Sequence, residues 1–109
     1  NDALILWTLL AGGKGGITAI ANILPTIMVD IYQSYLRGDM EQAKKAQNAI
    51  APIRDCFKYG NPNSVVKCAT NLIGQPVGPC RKPFGILPAE AIEAIQKTID
   101  TCYGEYKNR

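Results

Sequence analysis

The 109-residue chain has an ordinary globular composition, with 47% hydrophobic and 19% charged residues, which excludes an intrinsically disordered segment. The net charge is only +3, and the basic residues are scattered, with Lys44-Lys45 and Arg81-Lys82 as the adjacent pairs. A nucleic-acid interface needs a basic patch, and a transmembrane helix needs a long apolar run. The sequence shows neither, so we expect no nucleic-acid partner and no membrane partner.

The four cysteines are spaced too widely for a structural zinc site. Gaps of 11, 11 and 21 residues separate them, and the chain has no histidine, whereas zinc ligands come in close pairs. The sequence is not disulfide-dense either. We therefore expect no metal, no cofactor, free thiols and a cytoplasmic location. A small metal or redox protein remains an alternative that the spacing disfavours. The cysteines are Cys56, Cys68, Cys80 and Cys102.

The first predicted elements are a helix and a strand. Residues 3–11 are apolar on nearly every side, which is typical of a helix buried against several neighbours, with Asp2 as candidate N-cap. The glycine-rich run 12–16 ends this helix. Residues Ile17–Ile20 have the β-favouring, mostly apolar character of a strand buried in a parallel sheet. A lone strand cannot satisfy its own backbone, so it predicts partners from more chain or from another copy.

Two helices are predicted in the middle of the chain. Apolar pairs recur every four residues over 23–36, which indicates a helix with one broad apolar face, and Asn22 is its candidate N-cap. The next helix begins at Asp39, with Gln42 as its capping-box partner. Pro52 should kink or split this helix because proline lacks a backbone N–H.

The last third should contain two more helices joined by a long loop. Asn63 or Ser64 is predicted to cap a short helix that ends at Gly74. Residues 74–88 are rich in glycine and proline, which predicts irregular structure, and long ordered loops are often functional or interfacial. Residues 90–103 form the last predicted helix. The predicted fold class is therefore mainly α, with one short strand.

Four stretches, in this order, resemble one enzyme family over essentially the whole chain. The combined pattern is similar to the dihydrodipicolinate synthase and N-acetylneuraminate lyase family, although each stretch alone is weakly specific. The stretches are Gly12–Asn22 (GGKGGITAIAN), Tyr35–Asp39 (YLRGD), Asn61–Lys67 (NPNSVVK) and Gly74–Phe84 (GQPVGPCRKPF).

The resemblance implies the last part of a (β/α)8 TIM barrel followed by a C-terminal helical extension. Residues 1–38 would supply helix 7, strand 8 and helix 8 of the barrel, and residues 39–109 the C-terminal helical domain. A whole barrel needs about 250 residues. The first and seventh strands, which would flank the predicted strand, are therefore not in this sequence.

The family's chemistry is a Schiff base between a lysine and pyruvate. The resemblance places that lysine and a proton-shuttling tyrosine on earlier strands, so it implies no catalytic residue in this segment. It places only Ile17, with Gly16 beside it, at the wall of the pyruvate pocket. The alternative for Ile17 is an ordinary core residue. Within this segment, Lys67 is a candidate nucleophile, but an ordinary lysine on a helix surface is the favoured interpretation of this residue.

The resemblance implies a parent lyase that condenses pyruvate with aspartate semialdehyde, a step of lysine biosynthesis, while the segment itself is non-catalytic. The Gly74–Pro79 stretch favours that reaction. The Cys80–Gly85 run is more similar to the N-acetylneuraminate lyase branch, which leaves the aldehyde substrate open. A different hypothesis is a self-associating, non-catalytic helical module. In either case we expect a homo-oligomer, because the apolar first helix and the strand need cover.

Overall fold

A computed structural model describes residues 1–107, and this part of the chain is mainly helical, as predicted. Four short 3-10 turns accompany the α-helices, at Asp2–Leu4, Ile20–Asn22, Cys56–Tyr59 and Gly104–Tyr106. Residues 108 and 109 of the predicted C-terminal domain lie outside the described residues. The α-helices are α1 (Ile5–Leu10), α2 (Pro25–Leu36), α3 (Met40–Ala49), α4 (Ala51–Asp55), α5 (Pro62–Leu72) and α6 (Ala89–Cys102). None of these helices is long and apolar enough to cross a bilayer.

The predicted strand at Ile17–Ile20 is wrong. Residues 13–18 have no regular secondary structure, residues 20–22 form a 3-10 turn, and no strand occurs within residues 1–107. A strand is stabilised by hydrogen bonds to a neighbouring strand, and no other extended segment of the described chain pairs with this one. The side chains also differ from those of a buried strand, since Ile20 is fully buried while Ile17 is fully exposed.

The helix N-termini agree with the sequence at Asp39 and differ at the other three predicted caps. Asn22, the predicted cap of α2, lies in a 3-10 turn, and α2 begins at Pro25 with Leu24 at its N-cap position. Asp39 caps α3, and its carboxylate accepts from the Gln42 N–H at 3.1 Å. α5 is capped by Asn61, not by Asn63 or Ser64, because Pro62 fills the first helical position. The first turn is capped by Asn1, whose side chain accepts from the Ala3 N–H.

The contacts divide the chain into two compact units, one comprising Asn1–Ala51 and one beginning at Pro52. In the first unit, α1, α2 and α3 pack against each other. Their apolar residues recur every three or four positions, so each helix contributes one face to the core. This core comprises Ile5, Leu6, Leu9, Ile20, Ile23, Leu24, Ile27, Met28, Ile31, Ala43, Ala46 and Ile50. The predicted boundary between residues 38 and 39, which concerns the parent barrel, stays a prediction.

In the second unit, α5 packs against α6. The helix that was predicted to kink at Pro52 breaks at Ile50, so that α3 ends at Ala49 and α4 begins at Ala51. Residues 74–88 contain neither helix nor strand, as predicted. The core of this unit comprises Ile53, Cys56, Val65, Ala69, Ile73, Leu87, Ala91, Ile95, Ile99 and Tyr103.

Tyr103 ties the end of α6 to α4 inside the second unit. Its side chain is only 2% exposed, and its hydroxyl oxygen accepts from the Ile53 N–H at 3.2 Å. Burial raises the pKa of Tyr103 to about 12, which keeps the phenol neutral well above its ordinary range.

We expect Tyr103→Phe to lower the free energy of unfolding by about 1–2 kcal/mol at pH 8, because the buried Ile53 N–H loses its acceptor. Urea unfolding followed by circular dichroism measures this loss. An unchanged midpoint would show that the hydrogen bond contributes nothing.

The same pair of proteins should differ in its response to alkaline pH. The folded-state pKa of Tyr103 is raised to about 12, whereas an unfolded tyrosine titrates near about 10. The wild-type chain therefore keeps this stabilisation below pH 10 and loses it as the pH rises toward 12. Phenylalanine has no titrating group, so the stability of Tyr103→Phe does not fall for this reason. The difference in the free energy of unfolding between the two proteins should therefore narrow over that range. A gap that stays constant from pH 8 to pH 11 would contradict the assignment.

Candidate functional site

The two predicted pocket residues lie in the irregular segment between α1 and α2. Gly16 lines a cavity of about 290 Å³ in the first unit, together with Ile5 of α1 and Met28 and Tyr32 of α2. Ile17 does not line this cavity, and its side chain is fully exposed. The structure therefore brings Gly16 into a pocket and leaves Ile17 facing solvent. The other lining residues are Leu9, Gly15, Thr18, Ala21, Pro25 and Val29.

Two glycines hold the irregular segment close to α1. A Cβ on Gly16 would lie 2.5 Å from Ile5 Cδ1, so a side chain at this position would have to displace the end of the Ile5 side chain. A Cβ on Gly13 would lie 2.5 Å from Thr8 Cγ2 and 2.8 Å from the Thr8 carbonyl oxygen. The Gly13 N–H donates to that same carbonyl at 2.8 Å, which fastens the segment to the end of α1.

The far end of the segment is anchored by polar contacts of the buried residue Asp2. The Ile20 N–H approaches Asp2 Oδ1 at 3.4 Å. Gln47 of α3 then holds this corner against α1: its Oε1 accepts from the Leu6 N–H, and its Nε2 donates to the Asp2 carbonyl, both at 2.9 Å. The irregular segment is therefore held at both ends, although it belongs to no sheet.

The chemistry available in this cavity is limited to binding. Its lining is mostly aliphatic, with the hydroxyls of Thr18 and Tyr32 as the polar side-chain groups. It contains no cysteine, lysine or carboxylate. Within residues 1–107, no three metal-ligating side chains come together. The cavity can therefore contact a ligand and exclude water, but its lining offers no amine nucleophile.

The outer side of α1, together with the end of the 3-10 turn that precedes it, carries an exposed apolar surface. Leu4, Trp7 and Leu10 recur every three residues and are 48%, 67% and 50% exposed; we call these three residues the α1 face. The opposite side of α1 is buried through Ile5, Leu6 and Leu9. The sequence predicted a helix covered on several sides, and the described chain covers only one. Exposed apolar patches of this kind mark interaction surfaces.

Sequence reasoning placed Gly16 and Ile17 together and missed the residues around Gly16. Ile5 and Tyr32 each follow the apolar pattern of their own helix, but nothing in that pattern brings α1 and α2 together around a glycine. The prediction that Gly16 and Ile17 contact pyruvate concerns a complete barrel and stays a prediction. Ile17 is exposed in the described chain, and the alternative of an ordinary core residue, which also concerns a complete barrel, stays open.

Comparison with known proteins gives a consistent match. The model of the dihydrodipicolinate synthetase family matches residues 1–102. The 4-hydroxy-tetrahydrodipicolinate synthase of Methanosphaerula palustris is 36% identical over 102 residues, which cover 93% of this chain and 35% of that protein.

Solved structures match over the same share of their length. A dihydrodipicolinate synthase crystal structure superposes with a TM-score of 0.82 at 30% identity, covering 93% of this chain and 35% of that one. YagE, an Escherichia coli K12 prophage protein of the dihydrodipicolinic acid synthase family solved in complex with pyruvate, has a TM-score of 0.85 at 25% identity, with the same coverage. The chain thus spans about a third of the length of the relatives it matches.

Proposed function

The chain belongs to the dihydrodipicolinate synthetase family, and on that premise we propose that it is the C-terminal third of a pyruvate-dependent Schiff-base lyase. In this proposal the 109 residues complete a TIM barrel and carry no catalytic residue of their own. The Schiff-base lysine and the proton-shuttling tyrosine belong to the other two thirds of the parent enzyme.

The observation that carries this proposal is the exposed α1 face, together with the irregular segment after α1, which has no strand partner within residues 1–107. Trp7 is 67% exposed and Ile17 fully exposed in the described chain. In a closed barrel, a helix packs on the strands and each strand is paired on both sides. The missing two thirds would supply this cover, and burying the aromatic Trp7 there would add substantially to the stability of the whole enzyme.

For the parent enzyme we propose the condensation of pyruvate with aspartate semialdehyde. The names of the relatives support it, since the Methanosphaerula palustris protein is a 4-hydroxy-tetrahydrodipicolinate synthase. The presence of pyruvate in the YagE complex supports the keto-acid half of the reaction. An N-acetylneuraminate lyase type of aldolase is the alternative, which the Cys80–Gly85 run favours.

A chimera tests the proposal. The matched third of the Methanosphaerula palustris synthase is replaced by residues 1–102 of this chain, and condensation of pyruvate with aspartate semialdehyde is assayed. We expect the chimera to be active, and the 109-residue chain and the synthase without this third to be inactive. A chimera that folds but forms no Schiff base with pyruvate would contradict the proposal.

The aldehyde is addressed by a second chimera, in which the same residues replace the corresponding third of an N-acetylneuraminate lyase. We expect the synthase chimera to retain the larger fraction of its parent's kcat/KM. If the lyase chimera retains clearly more, the alternative aldolase is correct.

Within this proposal, Gly16 and Ile17 form part of the pyruvate pocket wall in the complete enzyme. The exposure of Ile17 supports this role, because its side chain is free to face the rest of the barrel. In the synthase chimera we expect Ile17→Ala to raise the KM for pyruvate by about tenfold, since it removes several apolar contacts. Leu36→Ala is the matched control, because Leu36 is also exposed, at 59%, but lies at the end of α2. Equal KM values for the two variants would show that Ile17 does not contribute to the pyruvate pocket.

Self-association of the 109-residue chain through the α1 face is a further alternative. A dimer that pairs this apolar surface with its own copy is the simplest closed arrangement. Gel filtration with light scattering distinguishes a dimer from a monomer. A dimer that Trp7→Ser converts to a monomer would favour the self-associating module.

A further inference from the structure

A second cavity, of about 330 Å³, lies within the second unit, between α5, the 74–88 loop and the start of α6. We call it the α5 cavity. Apolar side chains dominate its walls, among them Leu72 of α5, Leu87 of the loop and Ile92 of α6. Its volume lies at the lower end of the range of about 300–1,000 Å³ that is typical of small-molecule sites.

Hydrogen bonds from α5 hold the walls of the α5 cavity in place. Asn71 Nδ2 donates to the Gly78 carbonyl at 2.9 Å, and Asn71 Oδ1 accepts from the N–H groups of Val77 and Gly78 at 2.8 and 3.0 Å. Farther along the loop, Ser64 Oγ donates to the Gly85 carbonyl at 2.8 Å. The loop is thus fastened to α5 at two points, so the cavity is formed before any ligand arrives, which lowers the entropic cost of binding.

The same hydrogen bonds leave one charged group for a ligand. Asn71 and Ser64 are engaged with the loop, whereas Lys67 is half-buried and is the charged residue that lines the cavity. Its Nζ lies 3.5 Å from the Val77 carbonyl, longer than an ordinary N–H···O hydrogen bond. Burial raises the pKa of the Cys68 thiol in the same wall, so at neutral pH this thiol stays protonated and adds no charge that would neutralise the ammonium.

We propose that the α5 cavity binds a small, mostly apolar carboxylate, such as a medium-chain fatty acid or an aromatic monocarboxylate. The carboxylate accepts hydrogen bonds from Lys67 Nζ, and the hydrocarbon part packs against Leu72, Leu87 and Ile92. One cation in a mostly apolar cavity, whose polar side chains Ser64 and Asn71 are already bonded to the loop, selects a ligand with one negative group and few other polar atoms. This site is separate from the proposed pyruvate pocket and does not depend on the reaction of the parent enzyme.

The first test compares octanoate with 1-octanol, its uncharged analogue, by titration of the ¹⁵N-labelled chain and observation of the amide signals. We expect octanoate to shift the signals of residues around the cavity, with Leu72 and Ile92 among them, and to bind about fivefold to tenfold more tightly than octanol. Equal affinities, or shifts confined to residues outside the cavity lining, would overturn the proposal.

The second test compares two variants, each of which removes the charge of one lysine. Lys67→Gln should weaken octanoate binding by about fivefold to tenfold and leave octanol binding unchanged, because only the ionic contact is lost. Lys97→Gln has the same net charge, alters an exposed lysine of α6 outside the cavity lining, and should leave both affinities unchanged. If the two variants bind octanoate equally well, Lys67 does not hold the carboxylate and the proposal fails.

Discussion

Gly13→Ala is expected to lower the free energy of unfolding by about 2–4 kcal/mol, because the added methyl group collides with backbone that cannot move aside. The new Cβ would lie 2.8 Å from the Thr8 carbonyl oxygen. That oxygen already accepts the Gly13 N–H at 2.8 Å. Relief of the collision therefore requires breaking the hydrogen bond that ends α1 and begins the irregular segment.

Two other glycines provide a graded comparison. At Gly16 the added methyl would meet only the end of the Ile5 side chain, which can rotate, so we expect Gly16→Ala to cost about 1 kcal/mol. At Gly104 nothing lies within 4 Å of the added methyl, and Gly104→Ala should leave stability nearly unchanged. Urea unfolding of the three variants should rank them in this order. A Gly13→Ala variant as stable as Gly104→Ala would show that this junction is free to rearrange.

Trp7→Ser is expected to have almost no effect on the 109-residue chain and a large effect on the synthase chimera. In the described chain the indole is 67% exposed, so its removal should change the free energy of unfolding by less than about 0.5 kcal/mol. In the chimera the proposal buries this side chain, and loss of a buried aromatic costs about 3–5 kcal/mol. We therefore expect the yield of folded, active chimera to fall by at least about tenfold.

Leu36→Ser tests whether this effect belongs to the α1 face. Leu36 is exposed to a similar degree as Trp7 but lies at the C-terminal end of α2. We expect this variant of the chimera to retain most of its activity. A Trp7→Ser chimera that is as active as the Leu36→Ser chimera would mean that the α1 face is not covered by the remainder of the barrel.

The helices could be predicted from the sequence because their signals are local. The four-residue apolar repeat over 23–36 and the cap at Asp39 depend only on neighbours along the chain, and the structure places α2 and α3 there. The strand predicted at Ile17–Ile20 is absent from the described chain because a strand does not depend on local signals alone. A β-favouring composition indicates only that a segment can pair, and pairing needs a second strand, which the described chain does not provide.

The candidate sites show the same limit. Gly16 was singled out through a family resemblance, whereas its fit against Ile5 is a tertiary contact that no periodicity contains. The sequence indicated Lys67 as a lysine on a helix surface, but its place in a cavity depends on the Asn71 hydrogen bonds that hold the loop against α5. Contacts between residues that are distant along the chain produce no local pattern, so they cannot be predicted from a single sequence.

The most direct test of the central claim is trapping with pyruvate and borohydride, followed by mass spectrometry of the 109-residue chain and of the synthase chimera. The proposal predicts no adduct on the chain alone and one reduced-pyruvate adduct on the chimera, at a lysine outside the segment that this chain supplies. An adduct on a lysine of the 109-residue chain, with Lys67 the first to examine, would contradict it and would place the nucleophile within this segment.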